Sequence, residues 1–437
     1  MLKRNVTWIS NWEPENKDFW ESKGKYIARR NLVWSIVAEH LGFSIWLVWS
    51  IVATKLTQAG FPYTFAVTMF GGRNWTLFSA GLLFIPTIAL AYFVCHPETP
   101  FWLMLLVAST AGLGGGNFAS SMANISFFYP DRMKGWALGL NAAGGNIGVS
   151  SVQLFTPILM GTGLLSFYLA APGPGGMNLQ NAGLMWLLPL SIALFGAYFF
   201  MDNLTDARSS FGDQLAIVKR KHTWIMSYIY IGTFGSFIGY SAAFPLLLKT
   251  QFPSVTVSIA FLGPLVGSLI RPIGGLLADK IGGAKVTFWN FVAMALATAA
   301  LMYFIEVKSF SGFLTMFLVL FVTTGVGNGS TYRMIPSIFR EEKLAAKAAG
   351  EVGKGAATKA AAIESAAALG FIGAIGACGG YLIPRGFGAS IAATGGPFLA
   401  LEIYLLFYVS CLALTWWYYL RRYFLVQLAP TLAEARI

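Results

Sequence analysis

Arg271 lies inside an apolar run, Val266-Gly-Ser-Leu-Ile-Arg-Pro-Ile-Gly-Gly275. A guanidinium within a membrane costs several kcal/mol unless it faces a cavity or a partner (about 2.5–3.5 kcal/mol on insertion scales). It is permanently charged and forks bidentately onto planar oxyanions. Two chemistries fit: an anion ligand on a permeation path, or a structural arginine that snorkels or pairs with Asp279. Asp279 is about two turns along the helix, too far for a direct contact within it. A second group lies near the N-terminus, Glu39 and His40 in Val37-Ala-Glu-His-Leu-Gly-Phe-Ser-Ile-Trp46. Glu39, Phe43, Trp46 and Ser50 fall on one helical stripe. A buried carboxylate there can take up and release a proton, with His40 as a titrating partner. It can equally be a structural Glu bonded to a neighbouring helix. Tyr230 and Phe234 are one turn apart in Ile229-Tyr-Ile-Gly-Thr-Phe-Gly-Ser-Phe237. Such a pair is plain packing in most helices. Beside an arginine it can sandwich a flat, weakly hydrated anion. Asn117, Asn124, Asn141 and Asn146 are polar positions in apolar helices. Asn117 is a ligand donor candidate, and the others read as helix–helix glue.

The elements that must position these groups are membrane helices. The 437 residues are 56% hydrophobic and 11% charged, with mean hydropathy +0.63. A soluble domain carries about 25% charged residues. Eleven runs approach the roughly 20 apolar residues that a spanning helix needs: 31–56, 75–95, 101–128, 136–160, 183–201, 223–248, 257–279, 286–304, 313–339, 363–387 and 398–420. The first 30 residues are polar and charged, unlike a cleavable signal peptide. The net charge of +12 follows membrane topology. Lys and Arg crowd the N-terminal tail, the central loop, the segment after Arg340 and the end of the last run, while 96–100 and 161–182 have none. That is the positive-inside pattern, with both termini and the central loop cytoplasmic. It removes the need for a nucleic-acid partner.

Enzyme chemistry has no support. Three histidines and three cysteines stand without metal-ligand spacing, and Cys95, Cys378 and Cys411 all fall in apolar runs. Gly114-Gly-Gly116 lacks the Lys-Ser/Thr of a phosphate loop. No cofactor and no metal is expected.

Two glycine-rich segments echo each other half a chain apart, Gly112-Leu-Gly-Gly-Gly-Asn-Phe-Ala-Ser-Ser-Met122 and Gly325-Val-Gly-Asn-Gly-Ser-Thr-Tyr-Arg-Met334. In a membrane helix, glycine admits a neighbouring backbone or a small ligand. Gly71-Gly72 and Gly282-Gly283 repeat at almost the same separation. Once-per-half repetition points to a duplicated transporter of two six-helix halves. The organisation read from this is a tail at 1–30, a helix bundle at 31–201, a central loop at 202–222, a second bundle at 223–420 and a tail at 421–437. The first half is one helix short. Between Leu56 and Arg73 the apolar stretch Ala59 to Phe70 spans about 18 Å, against a hydrocarbon core of about 30 Å. The charge pattern demands a crossing there. Either 57–72 crosses as a short segment or a helix is deleted, and deletion is the favoured reading.

The segment 112–128, the second motif through 339, Phe252-Pro followed by the Arg271 helix, and Thr233-Phe-Gly-Ser-Phe-Ile-Gly-Tyr240 resemble the nitrate/nitrite porters of the major facilitator superfamily. The resemblance implies an all-α membrane fold of two pseudo-symmetric six-helix bundles, the second helix of the first shortened or missing. It implies alternating access, residence as a monomer in a bacterial inner membrane, and uptake or exchange of nitrate and nitrite, with protons as a further partner in symport. Arg271 matches the family's second-half substrate arginine, and Tyr230 and Phe234 look like the aromatics flanking the anion. Asn117, with glycines such as Gly115, matches the first signature motif, Gly327 lies in the second, and Tyr92 is placed against the first-half aromatic. The family's other arginine precedes a Pro-Tyr pair by two residues. Here Pro62-Tyr63 is present but position 60 is Gly. A non-transporting membrane protein or anion sensor is therefore the alternative expectation.

Overall fold

The computed structural model describes residues 8–56, 73–112, 117–163, 177–204, 216–348, 354–424 and 431–433. The segment 57–72, with Gly60 and Pro62-Tyr63, and Gly115 of the first glycine motif lie outside the described residues. The described parts of all eleven apolar runs fall mainly on helices. Among the described residues, eight helical stretches are long and apolar enough to cross a membrane: Thr76–Phe93, Asn181–Phe200, Lys221–Gln251, Val257–Ile281, Gly283–Glu306, Phe310–Glu342, Glu364–Thr394 and Phe398–Leu420. The other three runs fall on Lys25–Leu56, on Phe101–Thr110 with Asn117–Phe128, and on Asp131–Met160. The chain is a multi-pass, predominantly helical membrane protein.

Several runs that read as single helices are jointed, and their sequences say why. The run at 75–95 breaks between Arg73–Leu82 and Phe84–Phe93. Pro86 has no N–H to offer the Leu82 carbonyl four residues back, so one ladder bond is lost at that point. The run at 363–387 divides at Cys378 into Lys354–Ala377 and Gly379–Thr394. Pro384 removes the bond to Gly380, and paired glycines at 379 and 380 weaken the same turn. The helix that opens the second half runs Lys221–Tyr230, loosens into a π-turn over Ile231–Gly235, and continues as Ser236–Gln251.

The described residues form two compact units. One comprises Met1–Phe128, Gly144–Asp206 and Val255–Leu265; the other comprises Tyr129–Ala143, Ala207–Ser254 and Val266–Ile437. In the first, small residues let the Asp131–Met160 helix press onto Lys25–Leu56. A side chain at Gly144 would collide with Ile36, and one at Gly148 with the His40 backbone. Ser44 Oγ bridges the pair, donating to the carbonyls of His40 (2.8 Å) and Gly148 (2.9 Å). The N-terminal tail is built into this unit. Trp8–Ile9 pairs in parallel with Asn203–Leu204, in the register Trp8↔Asn203 and Ile9↔Leu204. Arg30 pairs with Asp202, and the Asp202 amide donates to Asn31 Oδ1 at 2.7 Å.

In the second unit the glycine motif at 325 is a helix-packing surface. Gly325 meets the Gly267 carbonyl, and Gly329 meets the carbonyl of Arg271. Across the same seam, Gly274 meets the Val326 backbone. Backbone-to-backbone contact on both helices is how small residues drive association where lipid offers no hydrophobic gain. The consequence is positional: this seam fixes the height and rotation of Arg271.

Candidate functional site

The second unit brings Arg271, Tyr230 and Phe234 together, as their sequence positions suggested. Arg271 is only 1% exposed. Its Nη2 donates to the Tyr230 hydroxyl at 3.2 Å. Tyr230 and Phe234 are stacked, with ring centroids 5.1 Å apart and planes within 20°. The guanidinium carbon lies 5.9 Å from the Phe234 centroid and 5.7 Å from that of Tyr332. Both separations are within cation–π range. The alternative partner is engaged elsewhere, because Asp279 pairs with Arg333.

Local structure explains the stacking. In a regular helix, residues four apart sit one above the other but offset by about 40°. The π-turn at Ile231–Gly235 widens the turn that contains Phe234. Such turns concentrate at functional positions. Gly376 leaves room for the Tyr230 ring, which a side chain there would strike at Cδ1. Thr233, inside the π-turn, is held by Thr331 through their hydroxyls at 3.1 Å.

Tyr332 is the member of the cluster that sequence reasoning passed over. Its ring lies 5.0 Å from Tyr230, and its hydroxyl donates to the Leu369 carbonyl at 3.0 Å. The available signal was its place in the second glycine motif, one turn before Pro336. Gly327, from the same motif, packs against Thr233 and the Asn290 amide.

The first-unit candidates are distributed. Glu39 is 1% exposed, and Ser121 Oγ donates to its Oε1 at 2.6 Å. His40 Nδ1 donates to the Gly144 carbonyl at 3.2 Å, which fixes the proton on that nitrogen in the neutral ring. Asn117 begins a helix, and its side chain lies outside the description. Tyr92 is 49% exposed at the end of its helix, its ring 4.4 Å from that of His96. It thus stands outside any buried cluster. Among the described residues, no group of three or more His, Cys, Asp or Glu is placed to hold a metal ion.

Arg271 is thus a buried guanidinium ringed by aromatic faces, one of which offers a hydroxyl, a setting whose shape and charge suit a small planar anion. The family model of the Major Facilitator Superfamily matches residues 26–357. The nitrate/nitrite transporter NarU of Salmonella typhimurium is 44% identical, over 95% of this chain and 96% of that protein. This chain belongs to the nitrate/nitrite porter family of the Major Facilitator Superfamily. The porter is also 33% identical to a probable nitrate/nitrite antiporter, NarK2, of Thermus thermophilus, over 95% of this chain and 97% of that one. The alignment with the Salmonella protein extends over 445 positions, more than the 437 residues here, so it opens gaps on this side. In fold, the porter resembles a proton:xylose symporter at TM-score 0.60 and 14% identity, covering 90% of this chain and 95% of that one.

Proposed function

We propose that this chain carries nitrate and nitrite across a bacterial inner membrane by alternating access, with both termini cytoplasmic. The observation that carries the reading is the buried Arg271, set among Tyr230, Phe234 and Tyr332. A delocalised guanidinium matches a planar oxyanion in shape and is weakly hydrated, so desolvating the pair costs less than it would for an ammonium. Aromatic faces add low-polarity walls that a strongly hydrated anion would resist. The names of the relatives support nitrate and nitrite as the cargo. Their similarity along nearly the whole length supports an active transporter over a silent one. The gaps that the alignment opens on this side fit a chain shorter than its relatives, as a deletion near 57–72 would require.

Exchange of nitrate for nitrite is the coupling we put first, supported by the name of the Thermus relative. Proton–nitrate symport through Glu39 is the second reading, because that carboxyl is buried on a helix stripe with Ser121 as its donor. Proteoliposomes separate them. Under exchange, nitrate uptake requires nitrite inside and persists without a pH gradient. Glu39→Gln then keeps the counterflow rate within about threefold of wild type, since Gln can still accept from Ser121, at a cost near that of one neutral hydrogen bond. A pH gradient that drives nitrate uptake into nitrite-free vesicles, lost in Glu39→Gln, would establish symport instead. Absence of both activities would remove the transport reading.

A further inference from the structure

Asn328 is fully buried. Both its carboxamide atoms, Nδ2 and Oδ1, lack a hydrogen-bond partner among the described residues. Burying an unsatisfied amide is costly, and most buried side-chain polar atoms are paired. The neighbours of Asn328 obey that rule. Thr324 donates to Phe321, Ser330 and Thr331 both donate to the Gly327 carbonyl, and Thr233 meets Thr331. Within this stretch of the helix Asn328 is thus the exception, a state that Asn146 shares elsewhere among the described residues.

Its direction follows from the helix. Gly327 and Thr331 face Thr233 of the π-turn, while Gly325 and Gly329 face the backbone of the Arg271 helix. At about 100° per residue, position 328 falls between those two directions. Tyr332, one turn further on, shares that face and reaches both Arg271 and Tyr230. Asn328 thus looks into the wedge between the π-turn and the Arg271 helix, beside the aromatic cluster.

Resting on the anion site argued above, we infer that Asn328 is a direct ligand that favours nitrate over nitrite. An arginine fork covers two oxygens of a planar anion. Nitrite has only two oxygens, whereas nitrate has a third. The Asn328 amide N–H donates to that third oxygen, and the anion supplies the missing acceptor for Nδ2. A hydroxyl-bearing or apolar side chain at 328 supplies a weaker donor or none.

The test is equilibrium binding of sodium nitrate and sodium nitrite to the purified full-length protein in detergent, with sodium chloride as the ionic control. Asn328→Leu, of similar size but without a donor, is expected to weaken nitrate about tenfold, the worth of a hydrogen bond to a charged group. Nitrite is expected to change by less than threefold. Asn328→Ser, the gentler variant should Leu fail to fold, is expected to show the same bias at smaller size. Equal weakening of both anions, or no change in either, would overturn the inference. Arg271→Lys is measured in parallel: if it leaves both affinities intact, the anion site itself is misplaced and the role of Asn328 falls with it. If Arg271→Lys abolishes binding while Asn328→Leu shows no bias, only the inference about Asn328 fails.

Discussion

Arg271→Lys is expected to abolish measurable nitrate binding and counterflow while the protein remains folded. Lysine keeps the charge, so a purely electrostatic site would tolerate it. The site here needs shape. The guanidinium donates to Tyr230 and stands 5.9 and 5.7 Å from the Phe234 and Tyr332 rings. A planar, weakly hydrated cation fits between such faces, and an ammonium on a flexible stem does not reproduce its fork. Disrupting a buried, hydrogen-bonded charge pair costs about 2–5 kcal/mol. At 1.4 kcal/mol per tenfold, the dissociation constant should rise by at least about thirtyfold. Calorimetric titration of the detergent-purified variant measures this. An affinity within threefold of wild type would show that Arg271 serves the fold and not the cargo.

Gly329→Ala is expected to be among the damaging single-methyl changes in the second unit. The added Cβ would strike the Arg271 carbonyl and come within 2.6 Å of the Gly275 amide nitrogen. Both are backbone atoms of a packed helix and cannot rotate aside as a side chain could. The Phe310–Ala348 helix must therefore move off the Arg271 helix. Overpacking of this kind costs about 1–3 kcal/mol, which outweighs the gain of up to about 1 kcal/mol from replacing a helical glycine. Because the clash is at the carbonyl of Arg271 itself, transport should fall together with thermal stability. Gly370→Ala is the matched control: nothing lies within 4 Å of its added methyl, so it should leave the melting temperature level or raise it. Equal melting of Gly329→Ala and wild type would mean that the seam is looser than its backbone contacts imply.

The helices, and Arg271, Tyr230 and Phe234 as candidates, were legible because each leaves a local mark. Twenty apolar residues announce a span whatever they pack against. An arginine in such a run is conspicuous at once, and Tyr230 and Phe234 advertise themselves by their spacing. What escaped has no local mark. The π-turn at Ile231–Gly235 is a change of hydrogen-bond register and leaves hydropathy untouched. Tyr332 joins the cluster from a helix that begins 39 residues after Arg271, at Phe310, so its place in the second glycine motif hints at a role that tertiary packing alone assigns. The Asp279–Arg333 pair joins residues from two different helices, and a charge pattern read along one helix cannot anticipate it. The second glycine motif was legible as a place of close approach, but not as to what approaches. Gly325 and Gly329 meet another helix's backbone, whereas ligand and neighbour leave the same trace in sequence. Pro86 and Pro384 did carry a signal for the helix joints, which a window-averaged hydropathy smooths away.

The pairing of Trp8–Ile9 with Asn203–Leu204 also imposes an order of events during synthesis. Chains grow at about 5–20 residues per second, so roughly 10–40 s separate the emergence of one partner from that of the other. Throughout that interval the first spans must be inserted with the basic tail still without Asp202, the residue that Arg30 later contacts. The tail's charges are thus available to orient the first helix while orientation is being decided. The strand tie closes afterwards, as a clasp on a bundle whose direction has already been chosen.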